Sequence, residues 1–408
     1  MLLLYNIGIV LYRVLVFMVS FFNNKAKLWV RGRQKQTIIY YESSIWFHFA
    51  SLGEFEQGRP VLEKVKALYP AQKIVITFFS PSGYEVRKNT PLADAVYYLP
   101  ADTARNANDF IKNINPVMAV FTKYEYWYHY FNELHHQHVP LYVISSIFRP
   151  GQIFFKWYGG LNRKMLKLVT WFFVQDADSK HLLQGLGISN ISLSGDTRFD
   201  RVWANAANPK AIPVVEEFIG KSKLFIAGST WPEDEKLLAA LIEKHPDWKF
   251  IIAPHETSEE KIKGLLSLLP TNDTIKYSQL TEKYLLQHRV LIIDNIGLLS
   301  SLYQFAAIAY IGGGFGAGIH NTLEAAAFGM PVIFGPKYNK FKEARDLVEL
   351  NAGFSINNEA ELLNIAGRLM TDEAFCTATA HIAKRYVNEH IGATDVILKY
   401  IADKHPAL

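Results

Sequence analysis

The segment from Ile311 to Glu324 restricts this chain more than any other. An apolar run over 306–311 meets a stretch, 312–318, in which five of seven residues are glycine, and a helical pattern opens at Asn321. Strand, side-chain-free loop and helix N-terminus, in that order, make an anion site: the backbone can approach a phosphate and unpaired N–H groups point at it. The reading is a nucleotide or phospho-sugar ligand held late in the chain. The glycines miss the G-x-G-x-x-G spacing and lie far from a first βα unit, which makes an NAD enzyme remote. A Walker G-x-x-x-x-G-K-[ST] motif is absent as well.

Around this segment, apolar runs of strand length alternate with helical stretches, the pattern of parallel, doubly wound α/β sheets. Strands are expected over 45–50, 73–79, 116–122, 141–145, 171–175 and 191–194. A second series is expected over 224–227, 249–253, 290–293, 308–311 and 331–334, then mostly helix from 378 to 407. At 408 residues the chain exceeds one ordinary core. The shift to Ala, Asn and Pro over 202–213 marks the linker. Three segments result: 1–35, 36–205 and 206–408. Two similar α/β halves suggest a cleft enzyme with ligands bound between domains. A single cysteine, Cys376, excludes an internal disulfide framework and a Cys-based zinc site.

Residues 1–22 are almost wholly apolar, with Arg13 in their middle, and Lys25, Lys27, Arg31, Arg33 and Lys35 follow. A secretory signal carries its charge before the apolar region and a small-residue cleavage site after it, and both are missing. A spanning helix fits the length, although a central Arg13 costs about 2.5–3.5 kcal/mol on insertion scales. The alternative is an interfacial helix with Arg13 snorkelling to the headgroups. In both cases the basic cluster marks the cytoplasmic side and favours anionic lipid. Membrane attachment is preferred over a buried core helix, because core helices seldom run this long without polar residues.

Several polar residues fall at expected strand ends. Glu54 follows the first strand and a Gly turn, where it is either a general base or the acid of a Ser51-x-x-Glu54 capping box. Glu125 follows another strand, as a cleft carboxylate or a partner of a helix dipole. Gly228-Ser229-Thr230 precedes an acidic helix and is either a phosphate contact or an N-cap. Asn321 and Glu324 also have capping-box spacing, but the glycine loop before them favours a ligand role. Asp176-Ala-Asp178 is read as a cap, and His135, His136 and His138 as surface residues without a metal-ligand spacing. Lys337, Lys340 and Lys342 form an electropositive rim without the aromatic pattern of a nucleic-acid binder.

Taken together, these segments resemble the 3-deoxy-D-manno-octulosonate (Kdo) transferases, membrane-associated glycosyltransferases of the GT-B fold. The apolar start ending in Leu28-Trp-Val-Arg31-Gly-Arg33 is similar to the family's anchor, and His48-Phe-Ala-Ser-Leu-Gly-Glu54 to its H-S-V-S-V-G-E segment. Thr77 to Gly83 resembles T-x-x-T-x-T-G, and Glu125-Tyr-Trp127 falls on E-x-E-L-W with its second Glu and the Trp retained. Ser194 to Asp200 resembles T-G-x-x-K-F-D, and Ala227 to Glu235 resembles A-x-S-T-H-E-G-E-E. Gly312-Gly-Gly, His320-Asn-x-Leu-Glu324, Gly329-x-Pro-Val and Phe334-Gly-Pro336 follow the nucleotide-site block in order. The chain departs from the family at Pro254-His255-Glu256-Thr257, where a basic P-R-H-P-E-R stretch is usual, and over 33–45, which is abbreviated.

The resemblance implies two Rossmann-like doubly wound domains facing a cleft. It implies transfer of Kdo from CMP-Kdo to the 6′-hydroxyl of a lipid A precursor at the cytoplasmic face of the inner membrane, without cofactor or metal. Glu54 is then the general base and Glu125 a second cleft carboxylate. Arg198 and the N–H groups around Gly228, Ser229, Thr230, Gly313 and Gly314 stabilise the leaving CMP. His255 and His320 belong to the same donor site, Asn321 or Glu324 holds its ribose or phosphate, and Arg149 or Lys337 meets the donor carboxylate. Two other readings remain: a UDP-sugar transferase or epimerase of the same fold, and a non-catalytic, membrane-attached nucleotide-binding module.

Overall fold

Among the described residues every strand pairing is parallel, so all strand carboxyl ends in a sheet share one edge. The computed structural model describes residues 1–281 and 287–406. The chain forms two units: Met1–Arg201 with Ile391–Leu408, and Val202–His390. In the first, β1 (Ser44–Phe49), β2 (Lys73–Phe78), β3 (Ala95–Tyr98), β4 (Pro116–Thr122), β5 (Leu141–Ser146), β6 (Trp171–Val174) and β7 (Ile191–Leu193) lie in the order β3-β2-β1-β4-β5-β6-β7. In the second, β8 (Leu224–Thr230), β9 (Lys249–Pro254), β10 (Thr274–Lys276), β11 (Val290–Ile292), β12 (Ile308–Ile311), β13 (Val332–Phe334) and β14 (Gly353–Ser355) lie in the order β10-β11-β9-β8-β12-β13-β14.

Helices cover both faces of a parallel sheet, so its strands read as continuous apolar runs. All six residues of β1 are buried. Alternate side chains go to opposite faces. Trp46 packs with Val75, Phe121 and Val143 on one side, while Ile45, Phe47 and Phe49 pack with Ile74, Ile76 and Val120 on the other.

Two helices precede the first sheet: α1 (Leu2–Val19) and α2 (Asn24–Lys35). No residue of α1 is buried, which disposes of the core-helix reading, and its length and composition suffice to cross a membrane. Its amino-terminal turns are nevertheless tied to the first unit. The Tyr5 hydroxyl donates to the Asp102 carboxylate, and Asn6 Oδ1 lies 2.7 Å from His129 Nε2.

The basic flank behaves less uniformly than its sequence suggests. Lys25, Lys27, Arg31 and Lys35 are exposed. Arg33 instead turns inward: Nε donates to Leu99 O at 2.8 Å, Nη2 to Phe79 O at 2.9 Å, and the guanidinium stacks 3.7 Å from the Trp29 ring centre. Burial pulls its pKa down to about 9, so it remains a cation at neutral pH. It clamps α2 to the fold.

The linker and the chain's last helix also differ from expectation. Residues 202–207 continue the helix Thr197–Ala207, so only the remainder of 202–213 before the helix Pro213–Ile219 is irregular. The last helix, Ala393–Lys404, belongs to the first unit, although the sequence assigned it to the second. Its Ile397 and Ile401 join the core face of Ile45, Phe47 and Phe49, together with helix α3 (Leu52–Leu68). The Asp200 carboxylate holds its start, accepting from Gly392 N (2.6 Å), Thr394 N (2.7 Å) and Thr394 Oγ1 (2.5 Å).

Asp200→Ala removes all three acceptor bonds and is expected to cost about 2–4 kcal/mol of first-unit stability. Amide exchange over 393–404 should accelerate. Lys64→Ala, which breaks only the exposed pair with Asp395, should leave that exchange unchanged.

Candidate functional site

In an open parallel sheet, ligands gather beyond the strand carboxyl ends where neighbouring crossovers depart in opposite directions. That point lies between β1 and β4 in the first sheet and between β8 and β12 in the second. Glu54 follows β1 and Glu125 follows β4. Ser229 and Thr230 end β8, and Gly312 to Gly314 follow β12.

In the first unit, α3 begins at the cap Ser51, whose side chain receives the Glu54 N–H at 3.5 Å. Glu54 Oε2 in turn accepts the Ala50 N–H at 2.6 Å. The carboxylate is thus a backbone cap, yet it is also perturbed. Burial, with Glu125 adding to it, drives its pKa up to about 7, against the opposing effects of the Ala50 N–H and Lys123.

Glu125 is held by rings. Trp127 Nε1 donates to its Oε2 at 3.0 Å, and His48 Nε2 lies 3.5 Å from the same oxygen. The His48 tautomer follows from its other side. Indole nitrogen only donates, so Trp46 Nε1 gives its hydrogen to Thr77 Oγ1 at 2.8 Å. The Thr77 hydrogen then goes to His48 Nδ1, also 2.8 Å away, in preference to Phe47 O at 3.5 Å. This leaves the imidazole proton on Nε2, which lies near Glu125 without hydrogen-bond geometry to it. His48 is fully buried, and burial lowers its pKa against the pull of Glu125.

Arg198 belongs to this unit too. Its Nε and Nη2 both reach Asp196 Oδ2 at 2.8 Å. Burial raises the Asp196 pKa, but the Arg198 cation wins and holds it below the usual range. Tyr124 lies in the fields of Arg149, Arg198, Glu54 and Asp196, with burial the main cause of its raised pKa. The first unit therefore collects Glu54, Glu125, Arg149 and Arg198 at one strand edge. Lys123 (φ 60°) and Ser145 (φ 50°) take left-handed backbone there, a conformation uncommon for residues other than glycine.

In the second unit Ser229 is likewise left-handed, at φ 54°. Thr230 is not an N-cap; its hydroxyl donates to Glu235 at 3.0 Å, and Trp231 caps the helix Pro232–Lys244. Asp234, on the first turn of that helix, accepts from Trp231 N (2.9 Å), Gly313 N (2.9 Å) and the Tyr310 hydroxyl (2.7 Å). Burial pushes the Asp234 pKa up in spite of these donors. Beside it three rings stack: Trp231 on His255 at 4.8 Å and His255 on His320 at 4.5 Å. Trp231 Nε1 donates to His320 Nε2 at 3.2 Å. Burial, with His255 nearby, lowers the His320 pKa to about 4 and keeps that ring neutral.

This geometry corrects several expectations. The Gly313 N–H is occupied by Asp234 and does not point at open space. Two loop glycines serve backbone packing: a Cβ on Gly312 would meet Ser229 O at 2.3 Å, and one on Gly314 would meet Gly335 Cα at 2.5 Å. The following helix is only Leu323–Ala327, opening at Thr322, not Asn321. Its five residues make a weak dipole. Asn321 caps Leu323 N at 3.2 Å and donates to Glu324 at 3.1 Å. Lys337 is tied back to Phe315 O (3.1 Å) and Gly316 O (2.9 Å), strapping the loop. Arg149 is exposed and receives no side-chain partner from its own turn beyond the backbone bond of its N–H to Gln152 at 2.9 Å. Gly228 lies against Tyr303, whose hydroxyl would meet a Cβ there at 2.3 Å.

Sequence reasoning missed His48, Lys123, Trp231 and Asp234. A buried strand histidine carries no pattern of its own, and Asp234 reads as one acid among three in a helix's first turn. Among the described residues, no group of three or more His, Cys, Asp or Glu side chains could hold a metal ion.

The Glu54 environment has a measurable consequence. Its pKa rises on folding from 4.5 to about 7, so the folded state binds this proton more tightly than the unfolded chain. Stability is greatest below the unfolded value and falls as pH climbs through the window up to about 7. In urea unfolding at stepped pH, Glu54→Gln should remove that decline.

Residues 23–201 match the family model described as 3-Deoxy-D-manno-octulosonic-acid transferase (kdotransferase). A 3-deoxy-D-manno-octulosonic acid transferase of Rickettsia typhi is 26% identical over 346 residues, covering 81% of this chain and 72% of its own length. One from Chlamydia muridarum is 26% identical over 338 residues, covering 81% and 78%. Among solved structures, the UDP-GlcNAc 2-epimerase of Neisseria meningitidis superposes with a TM-score of 0.65 at 16% identity, over 88% of this chain and 100% of that one. That last likeness speaks for the fold alone. With a family match across the first sheet and relatives spanning four-fifths of its length, the chain is similar to the Kdo transferases, and its two parallel sheets have the GT-B fold.

Proposed function

We propose that this enzyme transfers Kdo from CMP-Kdo to the 6′-hydroxyl of a lipid A precursor, inverting the anomeric carbon, at the cytoplasmic face of the inner membrane. The observation that carries the reading is Glu54. It is a carboxylate fixed by the Ala50 N–H at the switch point of the first sheet, with a pKa raised to about 7. A base poised near the working pH combines a useful deprotonated fraction with proton affinity.

In the proposed step, Glu54 takes the proton from the acceptor hydroxyl as that oxygen attacks the anomeric carbon of Kdo. The bond from that carbon to the phosphate oxygen breaks, and CMP leaves with the electron pair. Glu125, held in place beside Trp127 and His48, raises the proton affinity of Glu54 and is a positioning residue here. Arg198, oriented by Asp196, supplies fixed positive charge for the departing phosphate, a role that stabilises developing charge without reorganisation. The second unit holds the cytidine nucleotide around Ser229, Thr230, His255, His320 and Glu324. The His255–His320 stack on Trp231 offers an aromatic face suited to a pyrimidine. Arg149 is the candidate for the donor carboxylate, since the Lys337 ammonium is engaged by Phe315 O and Gly316 O. Residues 1–35 attach the enzyme to the bilayer, with Lys25, Lys27, Arg31 and Lys35 towards anionic headgroups.

Purified enzyme mixed with CMP-Kdo and a tetraacylated lipid A precursor should release CMP, and mass spectrometry should find the acceptor heavier by Kdo. Glu54→Gln should lower kcat by about 10²-fold or more, while CMP still raises the Tm. Unimpaired turnover in that variant removes the assigned base. Because the base must be deprotonated, kcat/KM should climb with pH and level off above about 7. Stronger thermal stabilisation by UDP than by CMP would instead favour a UDP-sugar donor.

A further inference from the structure

The sequence left Arg13 stranded in an apolar helix, and the structure shows what it faces. A groove of about 690 Å³ runs between α1, α2 and the helix Ala104–Ile114, all within the first unit. One stripe of α1 lines it: Val10, Arg13, Val14 and Phe17, the spacing of a single helical face. Ile38 and Phe110 supply apolar surface opposite. The volume falls within the range of about 300–1,000 Å³ usual for small-molecule sites.

Two donors in this groove lack acceptors. Arg13 makes no ion pair or hydrogen bond among the described residues, although Asp109 lines the same groove, paired with Arg105 at 3.6 Å. Trp29 is 8% exposed, and its indole Nε1 is buried without a hydrogen-bond partner. A buried, unmatched N–H costs stability, so it usually marks an acceptor that the folded site receives from elsewhere. The neighbouring Arg33 does not share this condition, since its donors are taken by Leu99, Phe79 and Trp29 carbonyls.

The occupant that fits must offer hydrocarbon to Val10, Val14, Phe17 and Phe110. It must also offer anionic oxygen to Arg13 and a further acceptor to Trp29. We propose that the groove binds one glycerophospholipid of the bilayer, an acyl chain along the Val10–Phe17 stripe and the phosphate on Arg13. The ester or phosphate oxygens satisfy Trp29 Nε1. A bilayer lipid is favoured over the acceptor substrate because neither Glu54 nor Glu125 lines the groove. The site would make Arg13 tolerable in a membrane-attached helix by giving it a permanent counter-ion. It rests on the membrane attachment proposed above.

The full chain, extracted from membranes in mild detergent, should retain one glycerophospholipid in native mass spectrometry. Arg13→Gln and Val14→Trp, the latter filling the groove, should each lower retention about tenfold, as expected for loss of a charged hydrogen bond or of the apolar channel. Trp29→Phe should weaken it less, and Arg13→Lys should preserve it. Flotation with anionic vesicles measures attachment separately and should be unchanged in every variant. Equal retention by all variants, or none by the wild type, overturns the site while leaving attachment standing. A retained mass equal to the phosphorylated saccharide acceptor also overturns it, in favour of an acceptor subsite. Failure of the wild type to float removes the attachment reading and this proposal with it.

Discussion

Parallel pairing imposes the arrangement on which everything else in this protein depends. A parallel strand cannot be followed by its neighbour through a tight turn, so each strand is separated from the next by a crossover, usually helical. Right-handed crossovers on either side of β1 and β8 must leave in opposite directions. The loops there part, and a gap opens at the carboxyl edge of each sheet. Glu54 and Glu125 stand beside one such gap, and Ser229 and the glycine loop beside the other. Strand order, and not local motif alone, sets where these residues stand.

Inside the first unit, the same burial that stabilises the sheet also tunes its carboxylates. Taking Glu54 out of water raises the cost of its charge, and one backbone N–H returns only part of it. Glu125 is placed differently: Trp127 donates to it, and His48 Nε2 stands 3.5 Å away at the end of a chain that begins at Trp46. Two carboxylates at one sheet edge are thereby given different surroundings, one capping a backbone turn and the other set among rings. The buried imidazole is costly only in isolation. Satisfied at Nδ1 by Thr77, it helps specify the site.

Much of this was legible in the residues. The alternation of apolar runs and helices announced two doubly wound sheets, and strands β1, β2, β4, β5 and β8 lie within a residue or a few of their expected limits. The glycine loop was located correctly, but the packing that also requires its glycines was not foreseen. Gly312 and Gly314 are small because Ser229 and Gly335 crowd them, a long-range contact that no local window reveals. Arg33 was misjudged for a related reason: a basic residue in a basic run gives no hint that carbonyls of Leu99 and Phe79 await it. The ring stack of Trp231, His255 and His320 joins positions far apart in sequence, and only the fold assembles it.

The return of residues 393–404 to the first sheet bears on how the chain comes to be made. Val202–His390 is, in topological terms, an insertion: the ribosome finishes it before Ile397 and Ile401 exist. Until those isoleucines arrive, the face of Ile45, Phe47 and Phe49 lacks part of its cover, and Asp200 has no amides to receive. The later half can therefore reach its native state first. The earlier half must wait, with an incompletely covered core that closes only when residues 393–404 have been made.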